Sequence, residues 1–255
     1  MVARNSVRID LVIARVALAI VFTLPFGSAG AQTPAGARPA AGELPDWGGL
    51  WEVTFAPGIE NEPAALTPEY AAQYDAYRAA QQRGEIEDSP SANCVPNGMP
   101  GIMTQPYPIE FLFTPGKVTV LIEAYSQWRQ IFTDGRRHPE DPDLTFNGHS
   151  IGHWEGETLV VDTVGLTTDT ALGGSFGMRH SDEMRIVERM RLVGPDTLEV
   201  ATTVHDPLAL TKPWTTTRVY GRHRDWNLAE YVCQQNNRNF VTEDGKAGIN
   251  LEHEE

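Results

Sequence analysis

Hydrophobic and polar residues alternate over short stretches through most of the chain after residue 108. A period of two is typical of β-strands that bury one face. With an earlier stretch near the start, the pattern predicts ten strands, bounded by turn signals such as Pro115-Gly116 and Pro195-Asp196. The predicted strands cover residues 47–55, 109–114, 117–122, 126–133, 149–155, 158–163, 184–192, 197–205, 214–222 and 228–235.

One segment, residues 66–82, has a helical pattern instead. Thr67-Pro68-Glu69 supplies an N-cap, a first-turn proline and a first-turn acid in the order that begins a helix. Tyr70, Tyr74 and Tyr77 recur at helical spacing and predict an aromatic face that packs against the core. We expect this helix to lie between the first two strands and to cap one mouth of the sheet structure.

Successive hairpins without alternating helices predict an antiparallel meander, and a long meander tends to close because closure removes exposed edges. The fold class is therefore mainly β: about ten antiparallel strands that close as a barrel, with one helix between the first two. A strongly curved sandwich is the alternative. We expect one domain over residues 47–245, a flexible Ala- and Pro-rich linker over 32–46 and a tail over 246–255.

The first residues have the pattern of an export signal. Arg4 and Arg8 precede an apolar stretch that Arg15 interrupts, and the stretch ends at small residues, Ala29-Gly30-Ala31. This pattern predicts a signal peptide over 1–31 and a periplasmic or secreted protein, with an uncleaved anchor as the alternative. We expect no membrane span after processing.

Export changes the interpretation of the two cysteines, Cys94 and Cys233, which would then lie in an oxidising compartment. A bond between them would connect an early loop to the last strand region, whereas the alternative is two separate buried thiols. The sequence contains neither a C-x-x-C redox pair nor a cysteine cluster of the zinc-binding kind.

Charge excludes some functions. The 255 residues have a formal net charge of −14, and residues 1–31 carry three arginines and one aspartate, so the remainder has −16. Such an acidic chain is unsuited to binding nucleic acid or an anionic membrane surface. We expect a small hydrophobic or amphipathic ligand as the partner, and no cofactor.

Two stretches resemble known proteins. Gly49-Leu50-Trp51 resembles the G-x-W signature of calycins, the lipocalin and fatty-acid-binding superfamily. That resemblance implies a barrel in which Trp51 packs under an arginine of a late strand, for which Arg218, Arg222 and Arg238 are candidates. The run GHSIGHWEGETLVVDT at 148–163, with DGRRHP at 134–139, resembles a group of exported bacterial proteins of unassigned function, over most of residues 90–240. This second resemblance implies export and a β-rich fold.

A histidine and an aspartate in neighbouring strands are the first candidates for chemistry. Alternation places His149 on the same face as His153, and Asp162 at a matching position of the next strand. If Glu155-Gly156 is a two-residue turn, His149 lies opposite Asp162, and the pair could act as a general base. A three-residue loop would separate the two, and an exterior pair with no catalytic role is the alternative.

Glu188 shares a strand face with apolar residues, so we expect it to point into the barrel. A buried glutamate is either an acid–base group or half of an ion pair. Glu123 and Arg129 could form a similar pair across a turn. The apolar neighbours on the face of Glu188 are Met184, Ile186, Met190 and Leu192.

A loop rich in charge is a candidate for ligand binding at a barrel mouth, where it could hold a carboxylate or phosphate or could be solvated. A metal site from His138, His149, His153 and His180 is conceivable, but His149 and His153 are roughly 13 Å apart along a strand. We therefore predict no metal site. The candidate ligand-binding residues are Glu123, Arg129, Asp134, Arg136, Arg137, His138 and His153.

Two functions follow. The first is an exported protein that binds a small, mainly apolar molecule inside a barrel. The alternative is an enzyme that uses the same cavity, with His149, Asp162 and Glu188 as acid–base groups for an isomerase, lyase or hydratase reaction, or for hydrolysis by water that the histidine activates. Whether the protein is an enzyme is left open by the sequence.

Overall fold

The computed structural model describes residues 46–54, 61–84, 94–172, 177–233, 239–241 and 247–249. The predicted signal peptide and residues 32–45 of the predicted linker lie outside these ranges. The elements in chain order are β1 Leu50–Thr54, α1 Pro68–Gln82, a 3-10 helix at Gly101–Thr104, β2 Ile109–Thr114, β3 Lys117–Ile122, a 3-10 turn at Ala124–Ser126, β4 Gln127–Phe132, β5 His149–Glu155, β6 Thr158–Val164, β7 Arg185–Gly194, β8 Thr197–His205, β9 Trp214–His223, β10 Asn239–Val241 and β11 Ala247–Ile249.

Strands β1 to β9 form a closed barrel in chain order, in which β1 also pairs with β9. The predicted mainly-β barrel is confirmed, with nine strands in place of about ten. The tenth predicted strand, 228–235, is wrong where the structure describes it, because residues 228–233 form no strand. Both edges of β9 are already paired, one with β8 and the other with β1, so a further strand has no edge to join. The short strands β10 and β11 pair separately.

The barrel has one parallel pair of neighbours, β4 and β5, whereas the meander was expected to be antiparallel throughout. A closed ring with an odd number of strands cannot alternate in direction at every step, so one neighbouring pair must be parallel. Here that pair makes only two residue pairings, Ile131 with Ser150 and Phe132 with Ile151. Residues 133–148 carry the chain from the end of β4 to the start of β5, as a parallel connection requires. We call the β4–β5 junction the parallel seam.

The barrel interior is filled by one cluster of buried apolar side chains. The guanidinium carbon of Arg222 lies 4.5 Å from the ring centroid of Trp51. The Arg222 side chain is 1% exposed and also donates to the backbone carbonyls of Asp46 and Gly48. Of the candidate arginines, it is Arg222 that contacts Trp51, and Arg238 lies outside the described residues.

The short 3-10 segment packs against the buried core of the barrel. Met99, Ile102 and Met103 are buried, and the Tyr220 hydroxyl donates to the carbonyl of Met103 at 2.5 Å. The helix α1 follows β1 in the chain, but it contributes no buried residue. The expectation that its tyrosine face packs into the core is therefore wrong, since those side chains are only partly covered.

Cys94 and Cys233 form a disulfide, with their Cα atoms 5.7 Å apart, which confirms the bridge over two separate thiols. The bond connects the segment before the 3-10 helix to the chain that follows β9. Nearby, the Ser126 hydroxyl donates to the carbonyl of Tyr231 at 2.8 Å. Within the described residues, no helix combines the length and the apolar character needed to cross a bilayer.

Candidate functional site

The hairpin of β5 and β6 has a register that differs from the prediction by two positions along β6. Glu155 pairs with Thr158, so the turn consists of Gly156 and residue 157. Gly156 has φ +60°, a left-handed conformation that favours glycine at this position of the turn. Ile151 consequently pairs with Asp162, and the predicted opposition of His149 to Asp162 is wrong.

His149 and Asp162 nevertheless lie on the same face, because a shift of two residues keeps the alternation of a strand. That face is the outer one. The neighbours that point inward, Ser150 and Thr163, are fully buried, whereas His149 and Asp162 are only partly covered. These two candidates therefore do not line the barrel interior.

The loop 133–148 inserts His138 between the two. Its Nδ1 lies 2.8 Å from Nδ1 of His149, and its Nε2 lies 3.7 Å from Oδ2 of Asp162. Arg185 donates two hydrogen bonds to the same carboxylate, Nε to Oδ1 at 2.8 Å and Nη2 to Oδ2 at 2.6 Å. The four side chains form a continuous polar row, Arg185–Asp162–His138–His149, on the outer surface.

Three members of this row have shifted pKa values, and that of Arg185 is raised by its hydrogen bond to Asp162. Burial lowers the pKa of His149, and repulsion by His138, when that ring is protonated, and by Arg136 lowers it further, which favours the neutral imidazole. For Asp162, burial acts to raise the pKa, but the hydrogen bonds and charge of Arg185, with a contribution from His138, outweigh it. The net effect lowers the pKa and keeps Asp162 ionised.

A cleft of about 510 Å³ lies at the parallel seam, between β4 and residues 139–150. It exists because β4 and β5 pair only at Ile131 and Phe132 of β4, which leaves residues 127–130 without a β5 partner. Asn147 bridges this gap, donating from Nδ2 to Oε1 of Gln127 at 3.3 Å and to the carbonyl of Trp128 at 3.1 Å. The apolar part of the lining is Trp128, Phe132, Pro139, Pro142 and Phe146.

His149 belongs to the lining of this cleft. Its ring stacks on Phe132, with centroids 5.4 Å apart and an angle of 26° between the planes. The guanidinium of Arg136 lies 3.8 Å from the centroid of the same phenyl ring. The cleft therefore joins an aromatic surface to a neutral imidazole that is connected through His138 to the carboxylate of Asp162.

The charged loop residues do not assemble into the anion site that was considered. Arg136 forms hydrogen bonds with Asp134 through Nε at 2.9 Å and through Nη2 at 2.5 Å. These bonds lower the pKa of Asp134 to about 2 and occupy the guanidinium. Arg137 is exposed, and His138 is bonded to His149. The structure thus uses the loop charges to fix the loop itself.

Inside the barrel, Glu188 is half of a buried ion pair, and its predicted inward direction is confirmed. Its partner is Arg129, which also donates to the hydroxyls of Ser150 at 3.1 Å and Thr163 at 2.8 Å. The expected pair of Glu123 with Arg129 is wrong. Glu123 accepts from the backbone N–H of Ala229 at 2.8 Å, because the turn after β3 directs it away from the interior position that Arg129 occupies.

The other two histidines considered as metal ligands, His153 and His180, are separate from the site. His153 is exposed and lies 3.2 Å from Glu155, while His180 is buried between the hydroxyl of Thr170 and the carbonyl of Ser181, at 2.8 Å from each. Within the described part of the chain, no group of three or more histidine, cysteine or acidic side chains is arranged to hold a metal ion.

Sequence reasoning missed the seam, and with it the roles of Trp128, Phe132 and Asn147. One signal was available. The connection 133–148 is far longer than a hairpin loop and contains two prolines, so it indicates a crossover and hence a parallel neighbour.

A comparison with models of known protein families and one with curated proteins both find no match to this chain.

Proposed function

We propose that this protein binds a small, mainly apolar molecule, and that the cleft at the parallel seam is the binding site. One observation carries the proposal: the cleft has a volume of about 510 Å³ and combines aromatic and proline walls with a few polar groups. Sites for small molecules fall in this size range and have this mixture of lining residues. Packed apolar side chains already occupy the barrel interior. This supports a binding site at the seam rather than inside the barrel.

An exposed tryptophan supports the same conclusion. Trp128 lines the cleft and is 58% exposed. A large aromatic surface left in water at the rim of a pocket is typical of binding sites, where a ligand covers it. Since the indole lies on the outer face of β4, it can close over a bound molecule without disturbing the core.

We also propose that the protein is exported and that the barrel is calycin-like. The disulfide between Cys94 and Cys233 supports an oxidising compartment, as does the signal-like pattern of the first residues. The stacking of Arg222 on Trp51 supports the calycin relationship, because that contact is what the resemblance implies.

Binding can be tested with an apolar fluorescent probe, 2-methoxynaphthalene, and with native mass spectrometry of protein purified from the periplasm. Trp128→Ala is the test variant. Trp226→Ala is its control, since Trp226 is also exposed, at 44%, and does not line the cleft. We expect saturable binding that Trp128→Ala weakens and Trp226→Ala leaves unchanged. Absence of saturable binding by the unmodified protein, or equal effects of the two substitutions, would contradict the proposal.

A second function is acid–base catalysis at the same cleft. The observation that favours it is the neutral His149, which lines the cleft and is connected through His138 to the carboxylate of Asp162. An imidazole that accepts a proton while a carboxylate stabilises the charge is suited to isomerase, lyase or hydratase chemistry. Glu188, in its interior ion pair, would take no part. Turnover that His149→Gln abolishes while probe binding persists would distinguish this function from binding alone.

A further inference from the structure

We infer that the cleft selects ligands that carry a neutral hydroxyl on an aromatic or other unsaturated ring, and that this hydroxyl donates a hydrogen bond to Nε2 of His149. The inference rests on the proposed binding function. It follows from the order of protons along the row Asp162–His138–His149 and from a second acceptor on Asn147, and each step depends on distances in the structure.

The first step concerns the proton on His138. Asp162 is ionised and receives two hydrogen bonds from Arg185. Its Oδ2 lies 3.7 Å from Nε2 of His138, a buried atom that has no hydrogen-bond partner among the described residues. A bare nitrogen lone pair facing a carboxylate in a buried place is repulsive, so the carboxylate favours the tautomer of His138 that carries its proton on Nε2.

The second step concerns the contact between the two rings. Nδ1 of His138 and Nδ1 of His149 are 2.8 Å apart, a distance that requires one to donate and the other to accept. When both rings are neutral and His138 is protonated on Nε2, its Nδ1 can only accept. His149 must then donate through Nδ1, which leaves its Nε2 as a bare acceptor.

The third step is the direction of that acceptor. His149 lines the cleft, its Nδ1 is bonded to His138, and one face of its ring is covered by Phe132. The Nε2 edge is the part of the ring left to meet a bound molecule, since the described residues supply no hydrogen bond to it. A ligand that reaches this edge must donate.

Asn147 supplies an independent acceptor in the same cleft. Its Nδ2 donates to the carbonyl of Trp128, an atom that can only accept, so the orientation of the amide is fixed. Its Oδ1 is buried and has no hydrogen-bond partner within the described part of the chain. A buried acceptor without a partner is costly, and a ligand donor removes that cost.

Charge disfavours an anionic ligand. The cleft is lined by the carboxylate of Asp143, and the guanidinium of Arg129 is bonded in the interior to Glu188. Two further cations, Arg136 of the loop and Arg185 of the polar row, are bonded to Asp134 and Asp162 respectively. With two acceptors unpaired and each of these three arginines held in an ion pair, the lining fits a neutral donor attached to an apolar ring.

The same arrangement couples binding to pH. Protonation of His149 turns Nε2 from an acceptor into a donor, so we expect the affinity for a hydroxyl ligand to fall as the pH decreases through the titration of this ring. The charged and titratable groups that face His149 are His138 and Arg136 from the loop, Asp162 from β6, Arg185 from β7 and Asp143 from the cleft wall.

The test compares 2-naphthol with 2-methoxynaphthalene. The two share one ring system, but in the second a methyl group replaces the hydroxyl hydrogen, so it cannot donate a hydrogen bond. Both are titrated by fluorescence into the full protein at a pH of about 8, above the usual histidine pKa of about 6.5. We expect 2-naphthol to bind about tenfold or more tightly, since an acceptor left without a partner costs roughly that factor. Equal affinities overturn the inference and leave the proposed binding function standing, whereas no saturable binding of either probe overturns both.

Two further measurements locate the effect. His149→Phe keeps an aromatic ring and removes the acceptor, so it should bring the two affinities together, whereas the control His153→Phe, on an exposed histidine outside the cleft, should preserve their ratio. A preference for 2-naphthol that survives His149→Phe overturns the inference. Nitrogen-15 NMR of the unmodified protein reports the tautomer directly, and a proton found on Nε2 of neutral His149 overturns it as well, even if the variant does not fold.

Discussion

The guanidinium of Arg129 lies 2.5 Å from the carboxylate of Glu188, and each side chain is 1% exposed. Arg129 is on β4, beside the parallel seam, and Glu188 is on β7, so their bond spans the two strands between them. The hydroxyls of Ser150 and Thr163 accept further hydrogen bonds from the arginine. This cluster connects both strands of the seam to the neighbouring strands β6 and β7. It also links β4 to β5 by a side-chain hydrogen bond in addition to their short backbone pairing.

Removal of one partner should be costly. We expect Glu188→Gln to lower the free energy of unfolding by about 3–5 kcal/mol, because it leaves a buried guanidinium uncompensated. Chemical denaturation measures the change, and the double variant Arg129→Met/Glu188→Leu should recover most of it. The control is Glu199→Gln, whose exposed pair with Arg191 should be worth about 0–1 kcal/mol. Equal losses for the buried and the exposed pair would show that burial does not set the cost.

The contact of Arg222 with Trp51 should also contribute substantially to the stability of the fold. Because the cation is buried, we expect Arg222→Ala to destabilise the fold by about 2 kcal/mol or more, from the lost cation–π contact and two lost backbone hydrogen bonds. Arg224→Ala is the control, since Arg224 is exposed and bonded to the same Asp46. Thermal unfolding of both variants tests this, and a larger effect for Arg224 would contradict it.

The disulfide should contribute to stability through the unfolded chain. Cys94 and Cys233 are 139 residues apart, so the chain-entropy account gives the bond about 4–5 kcal/mol. Denaturation with and without reductant measures this, and the variant Cys94→Ala/Cys233→Ala should show the lower stability in both conditions. If reductant left the stability of the natural protein unchanged although both thiols became alkylated, the bond would have no such role.

Acid should destabilise the fold through two histidines. Burial lowers the pKa of His180, and burial with the charges of His138 and Arg136 lowers that of His149. The unfolded chain, with histidine pKa values of about 6.5, then binds more protons than the folded protein, so stability decreases as the pH falls below about 6.5 and through the folded values. The free energy of unfolding, measured from about pH 8 to about pH 5, tests this. His149→Gln should reduce the slope of that free energy against pH. A stability that rises on acidification over this range would be the opposite result.

The strands of the barrel could be predicted because alternation is local. The direction of Glu188 followed from its apolar neighbours for the same reason. Its partner Arg129 could not be predicted, since the two lie on different strands and meet only when the barrel closes. The prediction of a tenth strand was wrong for the same reason. Both edges of β9 are occupied once the barrel closes, and the residues 228–235 contain no sign of this.

The candidate site was predicted in part. His149 and Asp162 were placed on one face, but the register between them depends on where the chain turns, and a turn at Gly156 shifts every pairing by two residues. His138 takes the place beside Asp162 that was assigned to His149. A loop residue has no periodicity, so its position depends on the crossover of residues 133–148 and cannot be obtained from a strand pattern.

The cleft depends on the barrel having an odd number of strands, because an odd number requires one parallel pair of neighbours. A relative that gained or lost a single strand could alternate in direction all the way round, and it would have no need of a long crossover between two adjacent strands. Such a protein can be as stable as this one and still have no cleft. Insertion or loss of strands in pairs, by contrast, preserves the mismatch. The site can therefore be inherited when relatives gain or lose strands as whole hairpins, two at a time.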